Sequence, residues 1–159
     1  MSMMARLMYQ AVAWKERRRA RRDAGKLSHM PTTLEGGRAP HLESGRRGEN
    51  LAYWHLRQSG YIVIARNRRP HAGYGELDLV GWDGPVLAFV EVKTRSSMVA
   101  GPPALAVSAE QRKRIIRSAK TFMMRLGRKD ISYRFDIVSV LWCPGSGFEL
   151  RLIKDAFKG

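Results

Sequence analysis

Four charged side chains stand two residues apart in stretches otherwise suited to a core: Glu76 and Asp78 in "GELDLVGWDG", and Glu91 and Lys93 in "PVLAFVEVKTR". Strand side chains alternate faces, so Glu76 and Asp78 are expected on one face, with Leu77 and Leu79 on the other. By the same rule Glu91 and Lys93 lie opposite Val90 and Val92. If Trp82-Asp83-Gly84-Pro85 turns the two segments into a hairpin, two or three carboxylates and one ammonium converge. Burying such groups uncompensated costs several kcal/mol per ion, so they must be paired, hydrated or bound to metal.

Three chemistries fit this spacing. An ion-paired ladder of acids against Lys93 would suit the solvent side of an antiparallel pair. Oxygens of Asp78 and Glu91, with a backbone carbonyl, would suit Mg²⁺, which usually keeps several waters. In the third, Lys93 orients or deprotonates a water already acidified by the metal. In so basic a protein the natural scissile group is a phosphodiester.

The elements that must position these groups are readable from periodicity. "GENLAYWHLRQSGY" places Leu51, Ala52, Trp54, His55 and Leu56 on a short helix closed by Gly60. "YIVIARN" is a β-branched strand, followed by the charged hairpin. "SAEQRKRIIRSAKTFMMRLG" opens on a Ser cap and sets Ile115, Ile116, Ala119, Phe122, Met123 and Leu126 on one helical face. "YRFDIVSVLW" and the weaker "FELRLIKDAF" complete the order helix, three strands, helix, two strands. This is a mixed α/β domain, expected over residues 45–159.

Residues 1–44 read as a basic N-terminal extension, partly disordered. Met4, Leu7, Met8, Ala11 and Val12 follow helical spacing before a basic run, and "SHMPTTLEGGRAPHLESG" has linker composition. Charge is the dominant global property: 29 Lys+Arg against 14 Asp+Glu give a net charge of +15. The excess is not confined to the tail. Residues 1–47 carry 11 basic and 4 acidic residues, and residues 48–159 carry 18 and 10. Polyanions are the expected partners. The single cysteine, Cys143, rules out an internal disulfide framework and fits a reducing cytoplasm. No apolar run approaches the roughly 20 residues of a membrane span.

Asp78, twelve intervening residues and then Glu91-Val92-Lys93 resemble the PD-(D/E)xK signature of restriction-endonuclease-like nucleases. The ordered set "GRRGENLAYWHLRQSGY", "ARNRR", "GELDLV", "FVEVKTR", "AVSAEQRKRIIRSA" and "RFDIVSV" resembles the YraN-type family of bacterial proteins assigned as endonucleases. That resemblance implies a restriction-endonuclease-like mixed sheet flanked by helices. It implies Asp78 and Glu91 as ligands of Mg²⁺ or Mn²⁺, and Lys93 as the catalytic lysine. Glu49 sits where related archaeal Holliday-junction resolvases carry a further acid, and could complete the metal shell. Glu76 and Gln111 are supporting candidates, each with a plain surface role as the alternative. Leu77 stands where the signature has Pro. The implied activity is metal-dependent hydrolysis of structured or branched DNA. A homodimer is expected only by analogy with junction-cutting relatives. The alternative is a non-catalytic nucleic-acid-binding module that keeps the fold.

Two basic groups are candidate DNA contacts: Arg66, Arg68 and Arg69 before the site strand, and Arg112, Lys113, Arg114, Arg117 and Lys120 along the second helix. Contacts of this kind would be sequence-independent and salt-sensitive. His29, His41, His55 and His71 lack metal-ligand spacing, and "GRRGE" is not a phosphate-binding loop. Asp136, in an apolar strand, is expected to pair with an arginine.

Overall fold

The central segment, Val86–Arg95, begins with an apolar run too uniform for a half-exposed strand, and in the structure it is the middle of a sheet with a helix on each face. The computed structural model describes residues 40–70, 75–95, 107–127, 131–143 and 146–159, with Pro40–Ser44 as backbone alone. The helical spacing and linker expected before residue 40, with His29, and the stretch 71–74 lie outside the described residues. So does the side chain of His41.

The elements are α1 (Pro40–Gln58), β1 (Ile62–Arg68), β2 (Leu77–Asp83), β3 (Val86–Arg95), α2 (Ala109–Arg125), β4 (Tyr133–Cys143) and β5 (Gly147–Phe157). This is the order expected from the sequence. The sheet runs β1-β2-β3-β4-β5, antiparallel except for the β3–β4 pair, which α2 connects as a parallel crossover. The arrangement is mixed α/β and consistent with a restriction-endonuclease-like fold. No helix among the described residues is long and apolar enough to cross a membrane.

Alternate residues of β3 face opposite helices. Leu87 and Phe89 join Ile115 and Ala119 of α2 in one core, together with Trp82, Phe135 and Ile137. Ala88 and Val90 join Ala52 and Leu56 of α1 in the other, with Tyr61, Leu79, Val138 and Val140. Phe89 is the hub of an aromatic cluster, 5.8 Å from Phe135 and 5.9 Å from Phe122 between ring centroids. Burying side chains of this size contributes about 1.5–3 kcal/mol each.

The helix ends follow their local chemistry. Ser108 caps α2 by accepting the Gln111 backbone N–H at 3.2 Å. α1 stops at Gly60, whose φ of +90° lets the Tyr61 N–H reach back to the Leu56 carbonyl at 2.9 Å. Its start differs from expectation: the helix reaches back to Pro40, through residues whose Gly and Pro content suggests a linker. Pro40 occupies the first helical position, where a missing N–H costs nothing and a fixed φ helps.

Candidate functional site

The register of the hairpin brings the two carboxylates together. Leu79 pairs with Val90, and one further step of the same antiparallel register sets Asp78 opposite Glu91. At that step regular pairing stops. Asp78 Oδ2 accepts the Val92 backbone N–H at 2.8 Å, so the side chain stands in for a strand carbonyl. The strand leaves strict alternation here: Leu77 packs in the α2-side core and Leu79 in the α1-side core. The two leucines therefore do not share a face, as simple period-two alternation requires.

Glu91 is 7% exposed, and its Oε1 accepts from Lys93 Nζ at 2.9 Å and from Gln111 Nε2 at 2.6 Å. Gln111 is in the first turn of α2, so the helix start is fastened directly to the central strand. Among the described residues, the contacts of Asp78 engage only Oδ2, and those of Glu91 only Oε1. That leaves an oxygen on each carboxylate for a further partner.

Glu49 comes from α1. Its approach depends on Gly48, where an added Cβ would stand 2.0 Å from Thr94 Oγ1 of β3. Only a residue without a side chain lets the helix lie so close to the strand. On the other side Asn67 Nδ2 donates to Glu49 Oε2 at 2.8 Å, and Arg66 Nη2 donates to Asn50 Oδ1 at 2.5 Å. Asn67 has φ +48°, a left-handed conformation that Asn tolerates better than most residues. Asn67 and Gly48 escape sequence reasoning. The one signal for Asn67 is a short polar side chain inside an otherwise basic strand end.

Electrostatics mark the site as short of positive charge. Burial, with Glu91 beside it and Glu49 adding to it, pushes the Asp78 carboxyl from 3.8 up to about 7, against the Val92 N–H and Lys93. Burial also raises Glu91, outweighing the pull of Lys93, and Glu49 adds to the rise. Lys93 is the side-chain cation that lowers both carboxyls, and it does not offset burial and the neighbouring acids. Removing such carboxylates from water without a matching cation favours their neutral forms.

A hard cation fits this donor set in part. Two largely buried carboxylates with oxygens to spare suit an ion that takes one or two acids and keeps its waters. Among the described residues, however, no three His, Cys, Asp or Glu side chains already form a metal-ligating group. Glu49, held by Asn67, would join by leaving that amide or through a water.

The other candidates are dispersed. Glu76 is ion-paired with Arg69 at 2.9 Å and not with the Asp78–Glu91 pair. Arg66 is exposed, its guanidinium 4.5 Å from the centre of the Tyr53 ring, and Arg68 is exposed. Lys113, Arg114, Arg117 and Lys120 are exposed along α2. Arg112 is half-buried, donating Nε to the Val107 carbonyl at 3.0 Å with its guanidinium over Phe157, so part of its role is to brace the fold.

Asp136 is wholly buried and belongs to a separate network. It accepts from Tyr61 Oη at 2.9 Å, Arg134 Nε at 2.9 Å and the Asp155 backbone N–H at 2.9 Å. The expected arginine partner is Arg134.

Known proteins resemble this chain over most of its length. A UPF0102 protein of Solibacter usitatus is 55% identical over 97 residues, covering 61% of this chain and 74% of the relative. A UPF0102 protein of Symbiobacterium thermophilum is 44% identical over 113 residues, covering 71% and 94%. One from Koribacter versatilis is 39% identical over 117 residues, covering 74% and 80%. The sequence model of the uncharacterised protein family UPF0102 matches residues 48–140, from the glycine that admits α1 to the strand beside the site, and the chain belongs to that family.

Proposed function

We propose that the protein is a metal-dependent endodeoxyribonuclease that hydrolyses phosphodiester bonds in structured or branched DNA. The observation that carries this reading is the Asp78–Glu91 pair: two adjacent carboxylates raised by burial, with Lys93 bonded to one of them. Asp78 and Glu91 would hold Mg²⁺ or Mn²⁺, with Glu49 beside them. The ion would supply a polarised phosphate oxygen and an acidified water. Lys93, two residues beyond Glu91 on the same strand, orients that water and offsets negative charge developing on the phosphate. Gln111 fixes the Glu91 carboxylate. The exposed cations of α2 and of the β1 end supply sequence-independent contacts to the backbone of the nucleic acid.

A non-catalytic nucleic-acid-binding module is the second reading. The Lys93–Glu91 ion pair at 2.9 Å favours it, because an ammonium spent on that carboxylate is not free to orient a water.

The test uses labelled duplex, single-stranded, flap and four-way-junction DNA with Mg²⁺, Mn²⁺ or EDTA. Metal-dependent cutting by the wild type should be lost in Asp78→Ala. Lys93→Ala should cut about 10²–10³-fold more slowly with little change in DNA affinity. Cleavage by Lys93→Ala at the wild-type rate would remove the role given to that lysine. Tight, salt-sensitive binding with no cutting of any substrate would favour the binding module.

A further inference from the structure

β5 is an edge strand: among the described residues it pairs only with β4. Its register is unbroken from Cys143–Gly147 to Ile137–Ile153, then shifts before Phe135–Phe157, where Asp155 takes φ +53°. The regular part of the edge is therefore Gly147–Ile153, whose midpoint is Leu150. Alternation splits it into two sets. Phe148, Leu150 and Leu152 pack half-buried against the α1-side core, while Glu149 and Arg151 are exposed. Opposite Phe148, Trp142 is 42% exposed, the two ring centroids lying 4.9 Å apart.

A long open edge is a template for another strand unless charge or distortion blocks it. Here the charges do not block a copy of the same strand. A two-fold axis normal to the sheet pairs β5 with itself antiparallel and keeps each face continuous, so one residue must oppose itself. Centring on Glu149 or on Arg151 sets like charges together. Centring on Leu150 sets Glu149 against Arg151 of the second copy, Arg151 against its Glu149, and Phe148 against its Leu152. The centre that pairs the charges is also the midpoint of the regular edge.

We propose that the protein forms a two-fold dimer through its β5 edges, paired antiparallel about Leu150. The occupant is a second copy because the edge is complementary to itself in charge and in apolar pattern. In such a dimer the two β3 strands are five inter-strand spacings apart, roughly 24 Å, with their Asp78–Glu91 sites toward opposite ends of the sheet. The dimer does not depend on nuclease activity.

The experiment is sedimentation equilibrium on the full chain over a range of concentrations, for wild type, Glu149→Arg, Arg151→Glu and the double exchange. Both positions are exposed, so the fold is not at stake. Wild type should dimerise. Each single exchange turns two attractive cross-strand pairs repulsive and should weaken the dimer about tenfold, while the double exchange restores it. The single exchanges move net charge in opposite directions, so a general charge effect would shift them oppositely, not alike. A monomeric wild type, unaffected single exchanges, or a double exchange no better than the singles would each overturn the proposal.

Discussion

Two acidic clusters in this sheet have been treated in opposite ways. On β4, Asp136 is wholly buried, yet three donors bond to it, Arg134 among them. Arg134 and Lys154 also converge on Asp83, at 2.5 and 2.6 Å. Burial pushes the Asp83 carboxyl up, but hydrogen bonds from Lys154 and Arg134 outweigh it and hold it below its ordinary value. Toward the C-terminal end of β3, Asp78 and Glu91 share one lysine, and both are raised. The first cluster is balanced within the chain. Among the described residues, the second is balanced only if a proton or a further cation is added.

That contrast separates structure from function on physical grounds. A buried acid whose donors are all protein groups holds elements together, here the β5 bulge at Asp155 and Tyr61, the residue before β1. Buried acids in excess of their cations destabilise the fold at neutral pH unless something binds them. The comparison breaks most visibly at Asp136. Asp136→Ala leaves Tyr61 Oη and the Asp155 N–H without their acceptor and Arg134 with Asp83 alone as its acid, and should cost about 3–5 kcal/mol in urea unfolding. Asp78→Ala, measured the same way without metal, should change stability little or raise it. Equal losses at the two positions would dissolve the distinction.

A smaller effect sharpens the second cluster. Asn67→Gly keeps the φ of +48° without strain but removes the amide that holds Glu49. If Glu49 joins the cation from this position through a water, the expected outcome is about tenfold weaker Mn²⁺ affinity by calorimetry, as for other groups that orient a metal's ligands. Unchanged or tighter binding would show that Asn67 restrains Glu49 away from the cation.

Much of this arrangement was legible in the sequence, for identifiable reasons. The element order followed from hydrophobic period, because β3 and the inner face of α2 are buried where their apolar runs say they should be. The Asp78–Glu91 encounter followed from a short hairpin, whose turn fixes the register. Other features depend on three-dimensional accidents that no period encodes. Period-two alternation groups Glu76 with Asp78, but the strand departs from it near Leu77, and Arg69 takes Glu76. The early start of α1 was hidden because Gly and Pro lower helix propensity on average, while Pro at the first position does not. Asn67 was invisible because its role rests on one left-handed backbone angle and one distant carboxylate.

The most direct measurement of the central claim is the thermal midpoint of wild type and Asp78→Asn from pH 5 to pH 8, without and with Mg²⁺. Asp78 is raised from 3.8 to about 7, and Glu91 is raised too. A carboxyl raised in the folded state contributes stability that is full below its unfolded value and is lost as pH climbs through the folded one. Metal-free wild type should therefore lose stability across this range relative to Asp78→Asn, on the order of 1 kcal/mol by pH 8. Mg²⁺ should restore the wild type at pH 8, do little at pH 5, and leave Asp78→Asn nearly unmoved. Parallel pH profiles and no response to Mg²⁺ at pH 8 would contradict the account, leaving Asp78 and Glu91 as structural acids like Asp136.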